Sequence, residues 1–145
     1  MKTIRKSIAL NASKEKVWDV LTQDKYTRDW LSAFSPGSHA ISDWQQGSKI
    51  VFADDSGYGV IGRIVTHDPY ELLSMEYYGV IKDNIEDFES KEAQVYNGTH
   101  ETYRLTSKDD KTVLDIESDI ADDSFDSMSV LWDKAVLRIE KLAQD

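Results

Sequence analysis

Apolar and polar residues alternate at the start of the chain. Over residues 3–10, Ile4, Ile8 and Leu10 fall on one face and polar residues fall on the other. A period of two predicts a half-buried strand. Lys6 interrupts the apolar face, which indicates a strand near a sheet edge or a lysine stem that lies along the core.

Two short helices are predicted after this strand. Ser13 is a good N-cap residue, and apolar residues then recur at helical spacing from Val17 to Leu21. A second helix is predicted over residues 24–34, where aromatic and aliphatic residues again share one side. The Pro36-Gly37 pair ends it.

From residue 40 onwards the pattern is typical of β-structure. Six strands are predicted, over residues 40–44, 49–53, 58–65, 73–77, 99–106 and 114–120. Glycines in the third of these indicate a bulge or strong curvature. In the last strand Leu114, Ile116, Ser118 and Ile120 are assigned to the inner face, and Asp119 points outward. Residues 82–98 are polar and acidic, and they are predicted to form an irregular loop that folds partly back onto the body.

The longest amphipathic pattern lies at the end of the chain. Seven apolar residues recur at three- and four-residue steps there: Phe125, Met128, Leu131, Trp132, Ala135, Ile139 and Leu142. Short turns between successive strands predict an antiparallel meander, and only this helix is long enough to cover its apolar face. The fold class is therefore α+β, in the order β-α-α-β6-α: a curved antiparallel sheet around a long C-terminal helix, in one domain over residues 1–145. A bent sheet that grips one helix leaves space for a ligand between them.

Several short motifs along the chain carry a family resemblance. They are residues 11–22 (Asn-Ala-Ser-Lys-Glu-Lys-Val-Trp-Asp-Val-Leu-Thr), Trp30, the turn before Gly47, the Asp68-Pro69 turn with Leu73-Ser74, residues 101–106 and Trp132. In order and spacing the chain resembles SRPBCC (START-like) domains, most closely the branch named for activators of the heat-shock-protein-90 ATPase.

That resemblance implies the helix-grip fold, which is shared with START lipid-transfer domains and the birch-pollen allergen. Members of the superfamily bind lipids, polyketides, flavonoids or hormones, and some act as cyclases or co-chaperones. The resemblance thus implies a fold more sharply than a function.

The net charge and the lack of cysteine argue against several classes of function. The 145 residues carry a net charge of −10, which argues against binding to nucleic acid or to an anionic membrane surface. The acidic surface either keeps the domain soluble or forms a patch for a basic partner. Without cysteine, disulfides, thiolate catalysis and cysteine metal sites are excluded. No signal peptide or membrane-spanning run is recognised, so a cytoplasmic location is predicted.

The predicted ligand-binding residues line the space between sheet and helix. They are Met75, Tyr77, Glu101, Tyr103, Leu114, Ile116, Ser118, Met128 and Trp132. The hydroxyls of Tyr77, Tyr103 and Ser118 are suited to orient the polar end of a ligand.

Glu101 is the candidate of greatest chemical interest. By alternation it shares the inner face with Tyr103, where a carboxylate is costly unless it is paired or hydrogen-bonded. It is either a ligand anchor or acid/base group, or it lies at the solvent-exposed mouth, or it pairs with Arg63 or Arg104.

Other motifs favour neither a metal nor a cofactor. His39, His67 and His100 lack metal-ligand spacing, so no metal site is predicted. Residues 57–62 spell the dinucleotide pattern, but no helix follows it, and no cofactor is predicted.

We expect a protein that binds a small hydrophobic or amphipathic molecule, of lipid, polyketide or aromatic type, in an internal cavity. One alternative is a co-chaperone-like module with a chaperone or other protein partner. A less favoured alternative is a cyclase- or hydrolase-type enzyme that uses Glu101 or a pocket tyrosine.

Overall fold

The computed structural model describes residues 1–145, and its centre is a curved antiparallel sheet. In chain order the elements are β1 (Lys2–Leu10), α1 (Lys14–Thr22), α2 (Asp24–Trp30), a 3-10 turn (Leu31–Ala33), β2 (His39–Ile41), β3 (Lys49–Ala53), β4 (Gly59–Asp68), β5 (Leu72–Lys82), β6 (Ile85–Asp87), α3 (Lys91–Tyr96), β7 (His100–Lys108), β8 (Lys111–Ile120), a second 3-10 turn (Asp122–Ser124) and α4 (Phe125–Gln144). The strands pair in the order β1-β8-β7-β5-β4-β3-β2, and β6 adds to one end of β5. The predicted sheet around a long closing helix is confirmed.

The prediction of an irregular loop over residues 82–98 was wrong in part, although the segment does fold back onto the body as predicted. It contains β6, which pairs with the end of β5, and the short helix α3. Ser90 caps α3 by accepting a hydrogen bond from the backbone N–H of Ala93, and the Ala93 side chain is fully buried. Elements of three and six residues are too short to display a hydrophobic period.

Other predicted boundaries shift by a few residues. The second helix is α-helical only to Trp30 and continues to Ala33 as a 3-10 turn. The strand predicted over 40–44 is shorter and ends at Ile41, because Trp44 adopts a left-handed backbone with φ of 62°. β4 runs on to Asp68, into what was predicted to be a turn.

The predicted irregularity in β4 is confirmed. The β4–β5 register shifts between Ile61 and Gly62, and again between Ile64 and Thr66. A Cβ at Gly62 would lie 2.7 Å from the backbone oxygen of Glu76, so the close approach of β5 leaves room only for glycine. These irregularities help the sheet to bend around α4.

β1 is an edge strand, as predicted, and Lys6 joins it to α4. The Lys6 amine lies 2.8 Å from the Asp133 carboxylate and also donates a hydrogen bond of 2.8 Å to the Ser129 hydroxyl. The lysine that interrupts the apolar face therefore makes a polar contact between the edge of the sheet and the helix.

The buried residues of α4 all lie from Trp132 onwards. Trp132, Ala135, Ile139 and Ala143 are buried, whereas no residue from Phe125 to Leu131 is. Trp132 contacts the rings of Trp30, Phe34 and Tyr103, with ring centroids 4.9–6.4 Å apart. The first two turns of the helix are only partly buried, although Phe125 and Met128 still pack against the core. No helix of the protein combines the length and the apolar composition needed to cross a membrane.

Ile139 provides a test of this packing. Ile139→Ala removes a fully buried side chain between helix and sheet and should lower the free energy of unfolding by about 2–5 kcal/mol. Leu137→Ala on the same helix removes a side chain that is 63% exposed and should change it by no more than about 0.5 kcal/mol. Urea unfolding followed by circular dichroism measures both, and equal losses would contradict the packing described.

Candidate ligand-binding cavity

A cavity of about 270 Å³ lies between the sheet and the first turns of α4, whose Met128 and Leu131 form part of its wall. Twelve of the nineteen residues that line it are hydrophobic, so its wall is mainly apolar. The sheet contributes residues from β3, β4, β5, β7 and β8, the helix contributes Met128, Leu131 and Trp132, and the segment after α2 contributes Leu31 and Phe34. The cavity therefore lies between the sheet and the long helix, which is where the sequence predicted a space for a ligand.

Five of the nine residues predicted to bind a ligand lie together on this wall: Tyr77, Glu101, Ser118, Met128 and Trp132. The other four, Met75, Tyr103, Leu114 and Ile116, are buried in the packed core and do not line the cavity. Alternation identified their face correctly, but it does not reveal how far along a strand the helix makes close contact. As ligand contacts, the five remain a prediction.

Glu101 is buried at 9% exposure. The Tyr103 hydroxyl donates a hydrogen bond of 2.5 Å to its Oε2, and the Ser118 hydroxyl donates a longer one of 3.5 Å to its Oε1. Glu101 makes no salt bridge: Arg63 pairs instead with Glu76 at 2.8 Å. The alternatives of a solvent-exposed position and an arginine pair are thus wrong, and the carboxyl group is held by neutral hydroxyls inside the cavity.

Comparison with known proteins agrees with this architecture. The family model described as "Activator of Hsp90 ATPase homolog 1-like protein" matches residues 11–143. The chain belongs to this family. No curated protein sequence matches it significantly.

Several solved structures share the fold of this family member. The Aha1 dimer of Colwellia psychrerythraea superposes with a TM-score of 0.75 at 17% identity, covering 99% of this chain and 97% of that one. Protein MLL2253 of Mesorhizobium loti superposes with a TM-score of 0.76 at 17% identity, covering 97% of this chain and 96% of that one. CalU16 of Micromonospora echinospora superposes with a TM-score of 0.64 at 17% identity, covering 97% of this chain and 74% of that one. At these identities the likeness establishes the helix-grip fold alone.

Sequence reasoning missed most of the outer part of the cavity. Tyr58, Tyr96 and Asp54 line it but come from a strand start, a short helix and a loop. Their type gave no signal, because tyrosine and aspartate are common in turns and on surfaces. Asp54 is held by hydrogen bonds of 2.6 Å from the hydroxyls of Ser35 and Ser56, which lower its pKa to about 2.

Burial is the main influence on the titratable groups inside the cavity of this family member. It raises the pKa of Glu101, and hydrogen bonds from Tyr103, Tyr77 and Ser118 oppose that rise only in part. Burial, followed by the nearby charge of Glu101, raises the pKa of Tyr77 and Tyr103 well above the ordinary value. The two phenols therefore remain neutral hydrogen-bond donors across the physiological range.

The raised pKa of Glu101 makes a prediction about stability. The folded state holds the Glu101 proton more tightly than the unfolded chain does, so protonation of Glu101 stabilises the fold. This stabilisation is complete below roughly pH 4.3, the ordinary pKa of glutamate, and is lost as pH rises through the pKa of the folded state. The glutamine side chain of the Glu101→Gln variant does not titrate. The stability of this variant relative to wild type should therefore rise with pH over that window and then level off.

Urea unfolding of both proteins at a series of pH values measures this difference. Glu117→Gln serves as the control, since it removes one negative charge from the exposed face of β8. A difference between E101Q and wild type that stays constant with pH would contradict the assignment of Glu101 as a buried group with a raised pKa.

Proposed function

We propose that this protein binds a small organic molecule, mainly apolar, in the cavity between the sheet and the first turns of α4. The observation that carries the proposal is a mainly apolar cavity whose wall includes one buried carboxyl group, held by the hydroxyls of Tyr103 and Ser118. Binding sites for small molecules have this character: apolar walls provide affinity, and a few convergent polar groups fix the orientation of the ligand.

The size of the cavity narrows the ligand class. Ligand pockets usually measure about 300–1,000 Å³, and the 270 Å³ here lies at the lower limit. That volume suits a molecule with one or two rings or a short amphipathic chain better than a lipid with two acyl chains. The rings of Phe34, Phe52, Tyr77 and Trp132 on the wall favour an aromatic ligand.

The co-chaperone alternative rests on family membership and on the acidic surface. No geometric feature of the molecule singles out a surface for a chaperone, so we place it second. A pull-down at low salt with the chaperone of the source cell tests it, and recovery of no chaperone would exclude it.

The cytoplasmic location stays a prediction.

The enzyme alternative also has an observation in its favour. Glu101 meets the geometric requirement for an acid/base group, since it is buried, its pKa is raised, and the Tyr103 hydroxyl lies 2.5 Å away. The same features equally serve to anchor a ligand. Because the rest of the wall supplies mainly apolar surface, we place binding first.

Filling the cavity tests the proposed function. N-phenyl-1-naphthylamine, a neutral fluorescent probe made of a naphthyl and a phenyl group, should bind the wild type at one site with a fluorescence increase. Met128→Trp places a large ring at the cavity wall and should weaken this binding at least tenfold. Val130→Trp puts the same ring on the outer face of α4, where Val130 is 55% exposed, and should leave binding unchanged.

Thermal unfolding of both variants shows that they are folded before binding is compared. Absence of saturable binding to the wild type would overturn the proposal. Equal binding by the wild type and a folded M128W protein would place the probe elsewhere and would overturn it as well.

A further inference from the structure

The charges on the cavity wall all have one sign. Three acidic residues, Asp54, Glu101 and Asp119, are among the lining residues, and no lysine, arginine or histidine is. The carboxylate of Asp119 is turned to other partners, the hydroxyl of Thr3 and the backbone N–H of His100. Glu101 inside and Asp54 at the rim therefore set the electrostatic character of the site.

Glu101 is the group in this set whose charge lacks compensation. Its hydrogen-bond donors are neutral hydroxyls, and no cation lies within salt-bridge distance. A buried carboxylate without a counter-ion is costly, and a positive group brought in by a ligand would offset that cost. Two acidic residues outside this cavity already have cations: Glu92 pairs with Lys82, and Asp122 pairs with the Met1 ammonium group at 2.7 Å.

Aromatic rings add a second attraction for a positive group. Six of the residues on the wall are aromatic: Phe34, Phe52, Tyr58, Tyr77, Tyr96 and Trp132. Ring faces attract ammonium groups, with a gain that grows as water is excluded. A cavity that joins aromatic rings to one buried carboxylate is the arrangement that proteins use to hold organic ammonium ions.

We propose that the ligand of this cavity is an organic cation, a small aromatic or alkyl molecule whose ammonium group lies against Glu101. This inference rests on the proposed function and specifies its ligand class.

The surroundings of the cavity also favour a cation. A second hollow of about 330 Å³ adjoins it, shares Tyr58, Tyr96 and Asp119 with it, and carries Asp123 and Met1 beside the paired Glu92. The chain as a whole has a net charge of −10. A negative net charge raises the local concentration of cations and speeds their association.

A matched pair of ligands tests the proposal. Benzyltrimethylammonium carries a permanent positive charge, and neopentylbenzene is its neutral carbon isostere with the same shape. Each compound is titrated against the bound N-phenyl-1-naphthylamine probe at pH 8. The cation should displace the probe at a concentration at least tenfold lower than its isostere.

Two glutamate variants assign the preference to one side chain. Glu101→Gln keeps the shape of the wall but removes its charge, and it should bring the affinity of the cation down to that of the isostere. Glu117→Gln changes net charge by the same amount on the outer face and should retain the preference. If both variants lost the preference for the cation over its isostere, the preference would come from the net charge of the protein, and the role of Glu101 would be overturned.

The pH dependence provides an independent readout. The wall near Glu101 carries Tyr77 from β5, Ser118 from β8 and Asp54 at the rim, and α4 contributes only uncharged side chains. Tyr103, on the same strand as Glu101, donates a hydrogen bond to it from the core. Both tyrosines remain protonated and Asp54 remains ionised near neutral pH. The affinity for the quaternary cation should therefore rise with pH as Glu101 ionises, and it should be independent of pH in E101Q.

Failure of this inference is distinguishable from failure of the proposed function. If the neutral probe binds but neopentylbenzene displaces it as well as the cation does, the cavity binds ligands and the cation proposal is wrong. If the probe and both compounds fail to bind, the proposed function itself is wrong.

Discussion

The contact between α4 and the concave face of the sheet determines the rest of this structure. From Trp132 onwards, the helix presents four buried residues to the core: Trp132, Ala135, Ile139 and Ala143. Before Trp132 the apolar residues Phe125, Met128 and Leu131 are only partly buried. The same helix thus closes the core at one end and forms the wall of a cavity at the other. Trp132 marks the boundary, because its ring contacts both the core aromatics and the open space.

The cavity places a polar group where the physics of burial disfavours one. Glu101 lies between Met75 and Ser118 in the paired strands, at a position that an apolar side chain would fill at lower cost. The protein limits that cost with the hydroxyls of Tyr103 and Ser118 and provides no cation of its own. A fold that needed only stability would not gain from this arrangement. Its presence on the cavity wall is therefore the feature on which the proposed ligand site depends most.

The pattern of apolar residues was sufficient to predict the sheet, the closing helix and the inward face of each main strand. It also predicted that Glu101, Tyr77 and Ser118 point inward. It did not predict β6 and α3, since elements that short depend on tertiary contacts, such as the burial of Ala93, more than on their own period. The position of the cavity along the strands could not be predicted either. That position depends on where α4 makes close contact, and a helical period is the same along its whole length.

The two edges of the sheet have a further consequence, which concerns self-association. An open sheet that bends around a helix without closing leaves unpaired backbone groups at β1 and at β2. β2 has only three residues, so it offers little backbone to another strand. β1 is long, but Lys6 on its inner face is tied to Asp133, and slippage or replacement of this strand would leave a charge among apolar side chains. Short edges and inward charges are the means by which natural sheets resist edge-to-edge aggregation. The residue that spoils the apolar pattern of β1 thus protects an open half-barrel from adding strands, and allows it to keep an accessible interior without closing into a barrel.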